Sequence, residues 1–256
     1  MNINGKNIIL TGASSGIGKA ILSILSAYSG VKIVAVARHI ENIPQLEDTV
    51  YPLVCDVSTK DGVDRMFAYA LEIMGSIDIF IANAGFAYLE KLETPDWEHI
   101  ENIYHLNVFS VIYSLERFAE LESDHHRSFV CTISGAGLVS LPGYSLYCSS
   151  KAALHHFIKT YRYEQSKAIN ITAVYPVATK TAFFDKASQK ARTPLPFLQQ
   201  EASTVARQIM KGIERGRKNV YPSFLFRIFY PLGRMFPFLM HLYAANEKRK
   251  LRGWID

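Results

Sequence analysis

Only three cysteines occur in the 256 residues, Cys55, Cys131 and Cys148. The number is odd, too small for a disulfide framework and without metal-ligand spacing, which points to a reduced, cytoplasmic setting and to no metal site. His125 with His126 reads as an exposed turn, and His155 with His156 as a helix pair with no acidic or thiol partners. The 15 glycines and 10 prolines are scattered, so no linker is marked. No stretch repeats at a period of about 20–50 residues, which excludes a solenoid. The first apolar run, Ile8-Ile9-Leu10, ends at once in Thr11-Gly12 and is shorter than the about 7–15 residues of a signal core. The expectation is that the chain enters directly into its first strand. Helix-turn-helix and metal-finger patterns are missing as well, so nucleic acid is not an expected partner.

What is present is ordinary for a globular chain: 49% hydrophobic and 20% charged residues, with a net charge of +5. The positive charge is local. Residues 201–256 hold 11 Lys/Arg against 4 Asp/Glu, whereas the first 200 residues are slightly acidic. Nearly continuous apolar runs at 7–10, 32–36, 51–54, 77–82, 128–133 and 171–175 read as strands buried on both faces. Amphipathic stretches at 17–27, 60–74, 97–121 and 147–167 read as the helices between them. Alternation of this kind implies right-handed crossovers and a single α/β domain, a Rossmann-like doubly wound parallel sheet with helices on both faces. The crossover between 37 and 51 has room only for a short helix.

The first strand runs into Thr11-Gly12-Ala13-Ser14-Ser15-Gly16-Ile17-Gly18, which opens the first helix. Glycine there permits a tight turn and lets an anion approach the main chain, while the helix N-terminus offers free N–H groups and a positive dipole end. That is a pyrophosphate cradle. An acid at the end of the second strand would bind the ribose hydroxyls of NAD and repel a 2′-phosphate. This chain has Ala37-Arg38-His39 instead, and a guanidinium pairs with phosphate by two parallel bonds. NADP(H) is therefore the preferred cofactor, with NAD(H) left open.

Tyr147 and Lys151 stand four residues apart on a predicted helix, hence on one face. A free phenol has a pKa of about 10, and a neighbouring cation lowers it toward neutral pH, where proton exchange is efficient. Ser134 lies thirteen residues before Tyr147, just past the fifth strand, where open α/β sheets place their ligands. Its hydroxyl can donate to a carbonyl oxygen that gains negative charge.

With the loop in the form Thr-Gly-x-x-x-Gly-x-Gly and the serine, tyrosine and lysine in register, the chain resembles the short-chain dehydrogenase/reductase family over residues 5–222. The resemblance implies hydride transfer between a nicotinamide and a small-molecule carbonyl or secondary alcohol. It makes Asn107 the fourth catalytic member, holding a water that links the lysine to solvent. It assigns Asp56, with Val57, to the adenine ring, and Asn83-Ala84-Gly85 to the turn beside the adenine ribose, Ala82 replacing the family's first asparagine. Pro176, Thr179 and Thr181 match its Pro-Gly-x-x-x-Thr segment beside the nicotinamide, with Val177 in the glycine's place. It further implies a homo-oligomer, a dimer or tetramer.

Residues 182–200, with Phe183 and Phe184, read as a loop over the substrate. Within 221–243 the aromatic residues are broken by Arg227, Arg234, Pro231 and Pro237, too interrupted for a membrane span and suited to two amphipathic helices. The division expected is a catalytic domain over 1–222 and a hydrophobic, basic extension over 223–256. That extension has three readings: a membrane surface contact, a subunit contact or a cover for the cleft. An apolar, lipid- or steroid-like ketone fits its composition. A non-catalytic dinucleotide sensor or membrane-attached scaffold with the same fold is the other class of function.

Overall fold

The computed structural model describes residues 1–123, 125–165, 169–187 and 199–251. Its strands are β1 (Asn7–Thr11), β2 (Lys32–Ala37), β3 (Val50–Val54), β4 (Ile79–Ala82), β5 (Arg127–Thr132), β6 (Ile169–Val174), β7 (Thr179–Lys180), β8 (Gln200–Glu201) and β9 (Asn219–Val220). Its α-helices are α1 (Gly16–Leu25), α2 (Lys60–Met74), α3 (Trp97–Tyr104), α4 (Ser110–Glu120), α5 (Ser145–Glu164), α6 (Phe183–Ala187), α7 (Ala202–Glu214), α8 (Phe224–Met235) and α9 (Pro237–Lys250).

Seven strands form one parallel sheet in the order β3-β2-β1-β4-β5-β6-β9, and β7 pairs with β8 beside it. The chain winds outward from β1 in one direction and from β4 in the other. A crevice opens at that reversal, above the carboxyl ends of the strands. Alternate side chains fill both faces. Ile9, Phe80 and Phe129 point into a core with α2, α4 and α5, where the Phe80 ring stacks on Phe129 at 5.1 Å and on Phe67 at 5.5 Å. Ile8, Leu10, Ile81 and Val130 point into the opposite core with Ile21 and Leu25 of α1 and Ile209 of α7. Burial of each such side chain contributes about 1.5–3 kcal/mol, which fixes register as well as stability.

Two local expectations change. Residues 38–49 contain no helix; Ile43 instead plugs the sheet edge as part of the core, because twelve residues suffice for a crossover in irregular form. The predicted helix 97–121 is interrupted by a wide π-turn over His105–Phe109. The N-cap of α2 is Thr59, whose hydroxyl accepts from the Gly62 N–H at 3.0 Å; Asp56 makes a local turn by accepting from the Ser58 N–H at 2.9 Å. His125 lies on an exposed turn, as expected, and its Nε2 lies 2.7 Å from buried Asp78, which Lys6 also pairs at 3.0 Å. Burial opposes ionisation of Asp78, yet the Asn7 N–H, Lys6 and His125 together hold its carboxyl below the usual range.

The C-terminal segment forms two helices, separated where Pro237 disfavours helical geometry at Phe236. They pack together through Gly233, where any side chain would collide with Met240. Among the described residues no helix is long and apolar enough to cross a membrane.

Candidate active site

A cavity of about 890 Å³ occupies the crevice. The loop between β1 and α1 forms one wall. Gly12 and Gly16 adopt φ of +68° and +54°, where a side chain is strained, and a Cβ on Gly12 would press on the Ala84 backbone at 3.0 Å. Gly18 lies so close to the Gly12 carbonyl that only hydrogen fits. Asn83 draws the loop onto the sheet by donating from Nδ2 to the Thr11 carbonyl at 3.2 Å, and the Thr11 hydroxyl accepts from the Asn83 and Ala84 N–H groups at 3.0 and 3.1 Å. The first turn of α1 carries no acidic residue, and Ser15 makes no side-chain capping bond. The positive end of that helix therefore faces the cavity without a resident anion, a chemistry that fits a pyrophosphate.

Gly12, Ser15, Gly16, Ile17, Arg38, Asn83, Ala84, Gly85, Pro176, Thr179 and Thr181 all border this space. Thr11, Ser14, Gly18, Asp56 and Val57 do not. Thr11 and Gly18 shape the loop from behind. Exposed Asp56 lies near Arg38: burial raises its pKa, but hydrogen bonds from Ser58 and the Arg38 charge outweigh that and keep the carboxylate ionised. Thr181 closes over Gly16, its methyl 3.1 Å from where a Cβ would stand.

Ser134, Tyr147 and Lys151 border the same cavity. Ser134 has φ +148°, a conformation that costs a non-glycine residue about 1–3 kcal/mol. The strain is sustained by the Gly135 N–H donating to the Pro176 carbonyl at 2.7 Å and the Ala136 N–H donating to the serine Oγ at 3.1 Å. Tyr147 is buried, which pushes its hydroxyl up to about 12, while a hydrogen bond with Ser134 pulls it down. Lys151 is also buried, and burial lowers its ammonium to about 8. Its Nζ donates to the Thr132 carbonyl at 3.1 Å and lies 5.9 Å from the centre of the Tyr147 ring. In the protein alone, burial rather than the lysine charge governs the phenol. The expected acidification is therefore not a property of the two side chains by themselves.

Asn107 is fully buried in the π-turn and does not border the cavity. Its Oδ1 accepts from the Phe86 N–H at 3.1 Å, and its Nδ2 donates to the Phe86 carbonyl at 2.9 Å and to Ser150 Oγ at 3.1 Å. It thus pins residues 85–86 against the helix that carries Tyr147 and Lys151. Gly85 permits the approach: a Cβ there would stand 3.0 Å from Asn107 Oδ1 and 3.4 Å from Lys151 Nζ.

Several cavity residues carry no motif. Tyr144, three residues before Tyr147, is buried with a hydroxyl that has no hydrogen-bond partner among the described residues. The Thr132 carbonyl, which holds Lys151, follows only from the strand's end point. Phe226, Phe229, Leu232 and Tyr243 bring α8 and α9 into the cavity wall. Phe226 also rests on Gly135, where its Cζ would meet a Cβ at 3.2 Å. Of the three readings of the extension, the cover over the cleft is thus realised. Of the loop read over 182–200, residues 188–198 lie outside the described residues, while Phe183 and Phe184 border the cavity.

The short chain dehydrogenase family matches residues 6–192. A Bos taurus protein, short-chain dehydrogenase/reductase family 16C member 6, is 33% identical over 227 residues, covering 83% of this chain and 70% of that one. A short chain dehydrogenase from Burkholderia cenocepacia J2315, solved in complex with NADP, superposes with a TM-score of 0.81 at 21% identity, covering 95% of this chain and 99% of that one. A short chain dehydrogenase/reductase from Burkholderia phymatum, solved in complex with NAD, gives a TM-score of 0.80 at 20% identity, covering 92% and 95%. At such identities the two structures establish the fold alone. The family match spans most of the catalytic core, so the chain belongs to the short chain dehydrogenase family.

Proposed function

We propose that the protein is an NADP(H)-dependent reductase of an apolar ketone, or the reverse alcohol dehydrogenase. The observation that carries this reading is the convergence of Ser134, Tyr147 and Lys151 on one cavity with the glycine-rich loop. When bound, a nicotinamide dinucleotide supplies the hydride that a carbonyl carbon receives, or accepts it in the reverse direction. Ser134 donates a hydrogen bond to the carbonyl oxygen as charge builds there. Tyr147, protonated at neutral pH in the protein alone, gives that oxygen its proton. Lys151, held by Thr132, orients the site and adds positive charge beside the phenol. The glycine loop and the N-terminus of α1 would hold the pyrophosphate, and the Arg38 guanidinium on the cavity wall would pair with a 2′-phosphate, the sequence having no acid after β2 until Glu41. Phe183, Phe226, Phe229 and Leu232 make much of the remaining wall apolar, alongside Asn246, Glu247 and Lys250 of α9, which suits a lipid- or steroid-like ketone with a polar group.

Purified protein with NADPH and a panel of aromatic, aliphatic and steroidal ketones tests this reading. Oxidation of NADPH is expected with at least one ketone. Tyr147→Phe should lower kcat by about 100-fold or more, the size of a lost general acid, with NADPH affinity retained. NADPH binding without oxidation by any ketone would leave a non-catalytic dinucleotide sensor instead.

A further inference from the structure

The outward faces of α8 and α9 extend well beyond the part that borders the cavity. Phe224, Ile228, Leu232 and Met235 of α8 and Phe238 and Leu242 of α9 are between 44% and 70% exposed. On α8, at about 100° per residue, the exposed apolar side chains fall within an arc of about 100°. Arg227 and Arg234, seven residues apart and both exposed, share the flank beside that arc. On α9, Phe238 and Leu242 lie on a face that continues to Arg249 at the helical spacing. The two helices hold five Lys/Arg and a single acid, Glu247, which is paired with Lys250 at 2.6 Å. An apolar strip edged by unopposed cations complements anionic headgroups over acyl chains. A second copy docked on the same face by a two-fold axis would bring like charges together. Leu225, Ile228 and Leu232 are exposed and also border the catalytic cavity, so the strip is continuous with the cavity mouth.

We propose that α8 and α9 seat the protein on an anionic lipid surface, and that the apolar substrate enters from the lipid past Leu225, Ile228 and Leu232. The docking half stands on the exposed face itself. The entry half rests on the reductase reading above.

Flotation of the full chain tests the docking half, using vesicles of phosphatidylcholine alone and vesicles doped with phosphatidylglycerol. The protein should float with the doped vesicles, and high salt should weaken its binding. The pair Arg227→Glu with Arg234→Glu, and separately Met235→Glu with Phe238→Glu, should each reduce binding at least about tenfold. These four positions are exposed and lie outside the cavity wall, and thermal unfolding checks that the variants remain folded. Protein that stays at the bottom of the gradient with both vesicle types overturns docking. So does a dimer that the Met235→Glu, Phe238→Glu variant dissociates while vesicles bind neither form. For entry, kcat/KM is compared with a ketone dissolved in vesicles and with a water-soluble ketone. The Met235→Glu, Phe238→Glu variant should lose about tenfold or more on the first and nothing on the second. Equal rates for variant and parent on the vesicle-borne ketone overturn entry from lipid. Flotation without turnover of either ketone refutes the reductase reading, and with it entry, while docking stands.

Discussion

Lys151 and Tyr147 are displaced in opposite directions by the same cause. Burial disfavours the charged form of each, so the ammonium falls to about 8 and the phenol rises to about 12. Between those values the phenol keeps its proton, as a proton donor must, while the lysine loses its charge. For ketone reduction, kcat/KM for the cofactor reports the free protein and should fall as pH rises through about 8. In Lys151→Arg the alkaline limb should move upward, because a guanidinium keeps its proton. A profile flat through this range would remove Lys151 from the chemistry. The sign for stability is the reverse. The unfolded chain, with Lys151 at 10.5, binds a proton that the folded protein has released, so this group makes folding more favourable as pH climbs from about 8 toward 10.5.

At the scale of elements, the π-turn between α3 and α4 is what a period of 3.6 conceals. Apolar residues recur through 97–121 as on one continuous helix, yet one widened turn is inserted at His105–Phe109, a feature often found at functional sites. The turn brings Asn107 to Phe86 and Ser150, coupling the loop after β4 to the helix that carries Tyr147 and Lys151. Asn107→Leu keeps the volume but leaves partners of three hydrogen bonds unanswered. Urea unfolding should show a loss of about 1–3 kcal/mol. Displacement of Lys151 by a fraction of an ångström should also reduce kcat by about 10–100-fold. A destabilised variant with unaltered kcat would confine Asn107 to the fold.

Across the whole molecule, the loop after β1, the end of β2 and the segment after β6 border one cavity, so a dinucleotide bound there would draw on all three at once. NADPH at about 100 times its Kd should stabilise the protein by about 2.7 kcal/mol, a rise in Tm of roughly 5–10 °C for a chain of this size. Arg38→Asp should transfer most of that rise from NADPH to NADH, since a carboxylate accepts ribose hydroxyls and repels the 2′-phosphate. A thermal-shift series with both cofactors reads this directly. Unchanged preference would show that Arg38 does not select the phosphate.

The parallel sheet and the loop–strand–helix order were legible in the amino-acid order because strands buried on both faces must be largely apolar, as 79–82 and 129–131 are. Glycines at 12, 16 and 18 were legible because backbone geometry admits nothing else there. Tyr147 and Lys151 were legible because helical spacing alone puts them on one face. What no local pattern carries is desolvation: the depth of burial that raises the phenol and lowers the amine arises only when α5, the end of β5 and Phe183 come together around them. Equally, Phe226, Phe229 and Tyr243 are merely aromatic in the chain and become a cavity wall only because α8 and α9 fold back over the crevice. Local geometry is set by neighbours along the chain, whereas burial and enclosure depend on residues remote in sequence. Tertiary structure alone decided those.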